Sequence, residues 1–197
     1  MYSALPRLLV LITIIALSGC VTKFKNVDSP EQFYSKSKPI TSLNYQIRST
    51  PIFTSKADLK SIDKSINASK LFTSTERYYD ESPPKKGIYI SVEAIYNPPT
   101  VPALAFGYLS VSTLTFLPVW SNHDGHKAKY SIYNNGELIK TFEYDRERFI
   151  ALWLPIILIS WVDLFTDGSY ESFASMTNQF LFDAAPLITK LVEEPSL

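Results

Sequence analysis

The alternation of hydrophobic and polar positions predicts a series of β-strands after residue 43. Residues 44–53 alternate and are rich in β-prone side chains, and a short strand is predicted to end near Tyr79. The clearest strand is 87–96, where Ile88, Ile90 and Val92 lie on one face. Two further strands, 127–133 and 138–144, flank Asn135-Gly136, a pair that tolerates positive φ and therefore predicts a tight hairpin.

Two helices are predicted around these strands. Ser55 and Asp58 form a capping-box pattern at the start of the first helix, which is followed by apolar residues at helical spacing. Residues 170–192 carry a one-sided apolar stripe that predicts a second helix packed on a core, and Pro186 predicts a kink or break in it. The predicted fold class is α+β, a mixed or antiparallel sheet of about 4–5 strands packed by two main helices.

Two additional apolar segments, 101–120 and 149–165, are the unusual features of the chain. Each is close to the lower limit for a membrane-spanning helix and each contains proline. Three interpretations remain open. The segments are buried connections within the core, a pair of spanning helices, or an interfacial hairpin that places Trp120, Trp153 and Trp161 in the lipid headgroup region.

The N-terminus has the pattern of a targeting segment, in which Arg7 precedes an apolar run, 8–17. This run is shorter than the roughly 20 residues that a spanning helix requires. The residues that follow resemble the lipobox of bacterial lipoproteins. The resemblance implies that signal peptidase recognises Leu17, Ser18 and Gly19, and that Cys20 becomes the mature N-terminus, carrying diacylglycerol and usually a further acyl chain such as palmitate. Val21 follows where many inner-membrane lipoproteins have Asp, which by resemblance favours the periplasmic side of the outer membrane.

The predicted organisation separates a leader and a tether from one domain. A polar Ser/Lys/Pro-rich stretch after Cys20 is typical of a semi-flexible linker. The predicted parts are 1–19, the signal peptide; 20–43, a lipidated tether; 44–192, an α+β domain that includes both apolar segments; and 193–197, a tail. The order of elements over roughly 44–190 resembles periplasmic α/β lipoproteins of envelope-assembly systems, and also the N-terminal domain of the Tol-system translocation protein.

Charge and composition narrow the range of functions. The chain has 19 Lys and Arg against 19 Asp and Glu, and this balance argues against nucleic acid as a partner. With 6 glycines it contains no glycine-rich phosphate loop or dinucleotide fingerprint, so no cofactor is predicted. Cys20 is the single cysteine. If Cys20 is acylated, no thiol remains for a disulfide or a nucleophile.

Candidate chemistry is restricted to the two histidines and one charged cluster. His123 and His126 flank Asp124 and are weak candidates for metal ligands, although a solvated turn is the more common role of this pattern. Residues 145–148, Asp-Arg-Glu-Arg, are predicted to form a local ion-pair cluster at a strand end.

The sequence therefore predicts a membrane-anchored, non-catalytic lipoprotein that acts as a scaffold or interaction partner in the cell envelope. Its predicted partners are membrane lipid, through acylated Cys20, and an envelope protein. Two alternatives stay open: an envelope hydrolase using His123 and His126, and a membrane-embedded oligomeric subunit.

Overall fold

The computed structural model describes residues 20–27, 40–49, 55–80, 82–153, 156 and 168–193. The predicted signal peptide, residues 194–197 of the predicted tail, Trp161 and most of the second apolar segment lie outside the described residues. The described elements, in chain order, are β1 (Cys20–Phe24), β2 (Thr41–Ser49), α1 (Lys56–Ala68), β3 (Phe72–Arg77), β4 (Ile88–Asn97), α2 (Val101–Ser112), β5 (Val119–Asn134), β6 (Glu137–Leu152) and α3 (Ser169–Glu193).

The strands form a six-stranded sheet in the order β1-β6-β5-β4-β2-β3. Strand β2 is parallel to both of its neighbours, β3 and β4, whereas β1 is antiparallel to β6. The fold is therefore α+β with a mixed sheet, as the sequence predicts.

Local sequence signals form as predicted at α1 and at the hairpin. The Ser55 hydroxyl accepts a hydrogen bond from the Asp58 backbone N–H at 3.1 Å, and the Asp58 carboxylate accepts one from the Ser55 N–H at 2.8 Å. This reciprocal pair satisfies backbone donors that the first turn leaves open. Between β5 and β6, Asn135 and Gly136 both have positive φ, 53° and 87°, which suits the twist of a two-residue hairpin.

The chain divides into two compact units. One, here called the Cys20 unit, comprises 1–25, 97–125 and 147–168; the other, here called the core unit, comprises 26–96, 126–146 and 169–197. In the core unit, α1 and α3 bury apolar side chains together with those of the sheet, and Tyr130 stacks on Phe180 with ring centroids 4.3 Å apart. Burial of this apolar surface is the main stabilising term of the core unit.

Several sequence predictions need correction. The described sheet has six strands where 4–5 were expected, because β1 adds an edge strand. Within the described residues there are three helices where two were expected, since α2 forms inside the first apolar segment. Residues 20–24 of the predicted tether form β1, and 28–39 lie outside the described residues. Helix α3 runs without interruption from Ser169 to Glu193 with Pro186 inside it, so the break predicted at Pro186 does not occur.

Candidate membrane-contact site

Cys20 is the first residue of β1 and lies opposite Leu152 in the antiparallel register. The pairing continues along β1 and ends with Phe24 opposite Arg148. Phe24 is buried, and the Arg148 guanidinium lies 5.9 Å from the centre of its ring. A backbone ladder and a cation–π contact therefore hold the strand that begins at Cys20.

A buried ion pair lies at the base of this ladder. Arg148 Nη2 and Nε donate to Asp124 Oδ2 at 2.5 Å and 3.1 Å, and the Ser121 hydroxyl donates to Asp124 Oδ1 at 3.2 Å. The Asp124 side chain is 0% exposed. A carboxylate at this depth requires a charged partner, because removal from water disfavours an isolated charge. Arg148 therefore links β5 to the part of β6 that pairs with β1.

The predicted local ion-pair cluster at 145–148 does not form as such. Besides the bond from Arg148 to Asp124, Glu147 accepts a 2.8 Å bond from Lys25, which follows β1. In the core unit, Arg146 donates to Gln179 at 2.7 Å. Alternation along β6 places Glu147 on the opposite face of the strand from Arg146 and Arg148, because successive side chains of a strand point to opposite faces.

Helix α2 begins and ends at clear local signals. The Thr100 hydroxyl accepts a hydrogen bond from the Ala103 N–H, and Pro102 occupies the first turn, where its missing N–H is not required. At the other end, Leu114 and Thr115 have positive φ, and the Ser110 hydroxyl donates to the Leu117 carbonyl at 2.6 Å. The chain therefore turns back immediately after α2 and enters β5.

Large apolar side chains of α2 and the following turn point into solvent. Val101 is 79% exposed, Phe106 62% and Tyr108 78%. The positions that are less exposed or buried carry small residues, namely Ala103, Gly107 and Ser110. Other exposed apolar residues in this region are Leu104, Leu109, Val111, Leu114, Phe116 and Leu117. The contiguous surface they form is of the kind that marks a contact site.

A cavity of about 400 Å³ lies within the Cys20 unit beside the start of α2. It is lined by four residues between Thr100 and Phe106, and by the first strand residues of β5 with Pro118 before them. A Cβ added at Gly107 would meet no atom within 4 Å. The cavity therefore lies along one side of α2, and Phe106 both lines it and is exposed.

The structure places two of the three predicted interfacial tryptophans in the Cys20 unit. Trp120 in β5 is exposed, and Trp153 follows β6 and is also exposed. The Trp153 indole N–H donates to the Phe116 carbonyl at 3.2 Å, so the turn after α2 lies next to the end of the strand that pairs with Cys20. No helix within the described ranges is long and apolar enough to cross a membrane.

The two histidines have different surroundings. His123 is exposed, whereas His126 is 2% exposed and stacks on Phe173 with centroids 4.6 Å apart. His126 therefore contributes to the packing of the core unit. In the part of the chain that the structure describes, no three His, Cys, Asp or Glu residues are grouped as metal ligands.

Sequence reasoning did not identify the contact between Arg148 and Asp124 or the outward orientation of α2. The available signal for the outward orientation of α2 was the absence of any Lys, Arg, Asp or Glu between Glu93 and Asp124.

Neither a protein-family model nor a curated protein matches the chain.

Proposed function

We propose that the protein is a lipoprotein held in the cell envelope through acylated Cys20, on the periplasmic side of the outer membrane, where it acts as a non-catalytic scaffold or interaction partner. The observation that carries this proposal is the lipobox-like sequence Leu17-Ser18-Gly19-Cys20. The position of Cys20 at the start of β1, in the unit that exposes α2, is compatible with it. An acyl anchor at this position leaves almost no tether between lipid and the folded Cys20 unit.

Several described polar groups of the core unit hold its fold together through hydrogen bonds. The buried Tyr130 hydroxyl is hydrogen-bonded to Thr177 at 2.9 Å, and the Tyr45 hydroxyl donates to Asp63 at 2.5 Å. Burial, followed by the hydrogen bond to Asp63, raises the pKa of Tyr45 to about 12. These tyrosines are neutral at physiological pH and serve as fixed hydrogen-bonding groups.

Lipidation is tested by metabolic labelling of cells with an alkyne fatty acid, followed by mass spectrometry of the N-terminal peptide. The wild-type protein should carry the label on Cys20 and separate with outer-membrane fractions. Cys20→Ala is the matched control and should lose both the label and the cleavage before residue 20. Label retained by Cys20→Ala would contradict the proposal, as would wild-type protein released without acylation.

Partner binding is tested by crosslinking in intact cells, with a photoreactive residue placed at an exposed position of the core unit. Tyr79 in the loop after β3 and Leu138 in the hairpin are suitable because both are well exposed. A discrete heavier adduct that contains a second envelope protein is expected at one of them. Uncrosslinked monomer at both positions, in cells that express the protein at its natural level, would count against a scaffold.

The hydrolase alternative is tested at His123, because this histidine is exposed whereas His126 packs on Phe173. His123→Gln should leave partner crosslinking and cell growth unchanged if the protein is a scaffold. Substitution of His126 is less informative, since it would remove a buried ring and lower stability directly.

A further inference from the structure

Helix α2 has the reverse of the usual surface-helix pattern. On a helix that packs on a water-soluble domain, large apolar side chains face inward and polar side chains face outward. In α2 the inward side carries the small residues at 103, 107 and 110, and the large apolar side chains point out. The exposed ones are Val101, Leu104, Phe106, Tyr108, Leu109 and Val111.

The width of this exposed surface distinguishes between two kinds of occupant. At 3.6 residues per turn, the six exposed side chains span roughly 220° of the helix circumference. A protein groove that accepts a helix contacts a narrower stripe, set by positions three and four residues apart. An apolar surface that covers more than half of the helix circumference is better matched by the acyl chains of a bilayer, which contact a helix on all of its exposed sides.

Charge and length agree with a lipid environment. Between Glu93 and Asp124 the chain has no Lys, Arg, Asp or Glu, and charged side chains are the groups that hydrocarbon excludes most strongly. The 12 residues of α2 give a length of about 18 Å, compared with about 30 Å for the hydrocarbon core. The helix is therefore long enough to enter one leaflet and too short to cross both.

The surroundings of α2 place interfacial side chains beside it. Trp120 and Trp153 are exposed in the same unit, and tryptophan favours the boundary between headgroups and acyl chains. Trp153 also bonds the Phe116 carbonyl, and it directly follows Leu152, the pairing partner of Cys20. The acylated residue and the exposed turn after α2 thus lie close together within one unit.

We propose that α2 and the turn through Phe116 insert into the outer part of one leaflet of a phospholipid bilayer, as a membrane contact separate from the acyl chains. The contact rests on the proposed function, because it requires that the protein reaches a membrane. Since the inserted surface is uncharged, the binding depends on acyl chains more than on headgroup charge, and neither salt nor anionic lipid changes it greatly.

The test uses residues 20–197 with Cys20→Ser, so that no acyl chain is present. The protein should sediment with phosphatidylcholine vesicles, to a similar extent when phosphatidylglycerol or 0.5 M salt is added. In the variant Phe106→Ser/Leu109→Ser the partition coefficient should fall about ten-fold or more, because two large apolar side chains no longer enter lipid. The matched control, Leu138→Ser/Ile139→Ser, alters exposed apolar residues of the core unit and should bind as the unaltered protein does.

Insertion depth gives a second measurement that needs no variant. Lipids brominated near the headgroup end of the acyl chains should quench tryptophan fluorescence more strongly than lipids brominated near the chain terminus.

No vesicle binding by the Cys20→Ser protein, or equal losses in both double variants, would overturn the proposal. A soluble oligomer that Phe106→Ser/Leu109→Ser converts to monomer, without vesicle binding, would overturn it in favour of self-association. Fatty-acid labelling of Cys20 is measured independently in cells, so failure of the anchor and failure of the α2 contact are distinguishable.

Discussion

Replacement of Arg148 by methionine tests how the strand that begins at Cys20 is held in place. The substitution keeps much of the side-chain length but leaves the Asp124 carboxylate, 0% exposed, without the guanidinium that now lies 2.5 Å away. Removal of one partner from a buried ion pair costs about 3–5 kcal/mol, because the remaining charge is buried and uncompensated. With an m-value of about 2 kcal/mol/M, the urea midpoint should fall by about 1.5–2.5 M.

The assay is urea unfolding of the Cys20→Ser protein, followed by circular dichroism. Lys25→Met is the matched control, because Lys25 forms a 2.8 Å ion pair with Glu147, also on β6, but both side chains are about half exposed. An exposed pair contributes little to stability, so this midpoint should change only slightly. Adding Asp124→Asn to Arg148→Met should restore part of the lost stability, since it removes the buried charge.

Equal midpoints for Arg148→Met and Lys25→Met would refute this reasoning. So would a double variant that is less stable than Arg148→Met alone, because the cost would then come from lost packing and not from an unpaired carboxylate. The double-mutant cycle separates these two causes.

Three further predictions concern other contacts. Phe180→Ala should destabilise the protein by about 3–5 kcal/mol in urea unfolding, because the ring is fully buried and stacked on Tyr130; a loss below about 1 kcal/mol would mean that the core closes around the cavity. Burial and then the hydrogen bond to Asp63 raise the pKa of Tyr45 to about 12, so the contribution of its hydroxyl to stability is complete below the ordinary pKa of 10 and is lost as pH rises toward 12. Urea midpoints measured from neutral to alkaline pH should therefore fall more steeply for wild type than for Tyr45→Phe. Parallel curves for the two proteins would contradict this. The hydrogen bond and the charge of Lys25 lower the pKa of Glu147 below its ordinary 4.5. The small stability difference between wild type and Lys25→Met should therefore be complete above pH 4.5 and disappear as pH falls through the lowered pKa. A stability difference that persists in acid would show that it does not come from ionised Glu147.

Local sequence was sufficient for the elements whose determining interactions are short in range. The capping box of α1 joins Ser55 to Asp58, three residues apart, and the hairpin depends on the φ preferences of Asn135 and Gly136. The alternation of β4 likewise determines which of its side chains face the core. These features were correctly predicted because each depends on neighbours along the chain.

The interactions of the individual charges and of the histidines required the tertiary structure. Residues 145–148 read as one cluster in sequence, yet Arg148 pairs with Asp124 and Glu147 with Lys25. His126 belongs to the same short motif as His123 but is buried against Phe173, 47 residues further along the chain. The partner that a side chain contacts across a sheet or on a packed helix is not determined by its neighbours in the sequence.

The first apolar segment shows most clearly what each source of information decides. The sequence by itself determined that 101–120 is uncharged and close to spanning length, and it left a buried, an interfacial and a spanning arrangement open. The tertiary structure decided that its helix has only 12 residues and turns its small side chains inward and its large ones outward. Composition alone cannot determine this orientation, because the orientation depends on which side of the helix the rest of the Cys20 unit occupies.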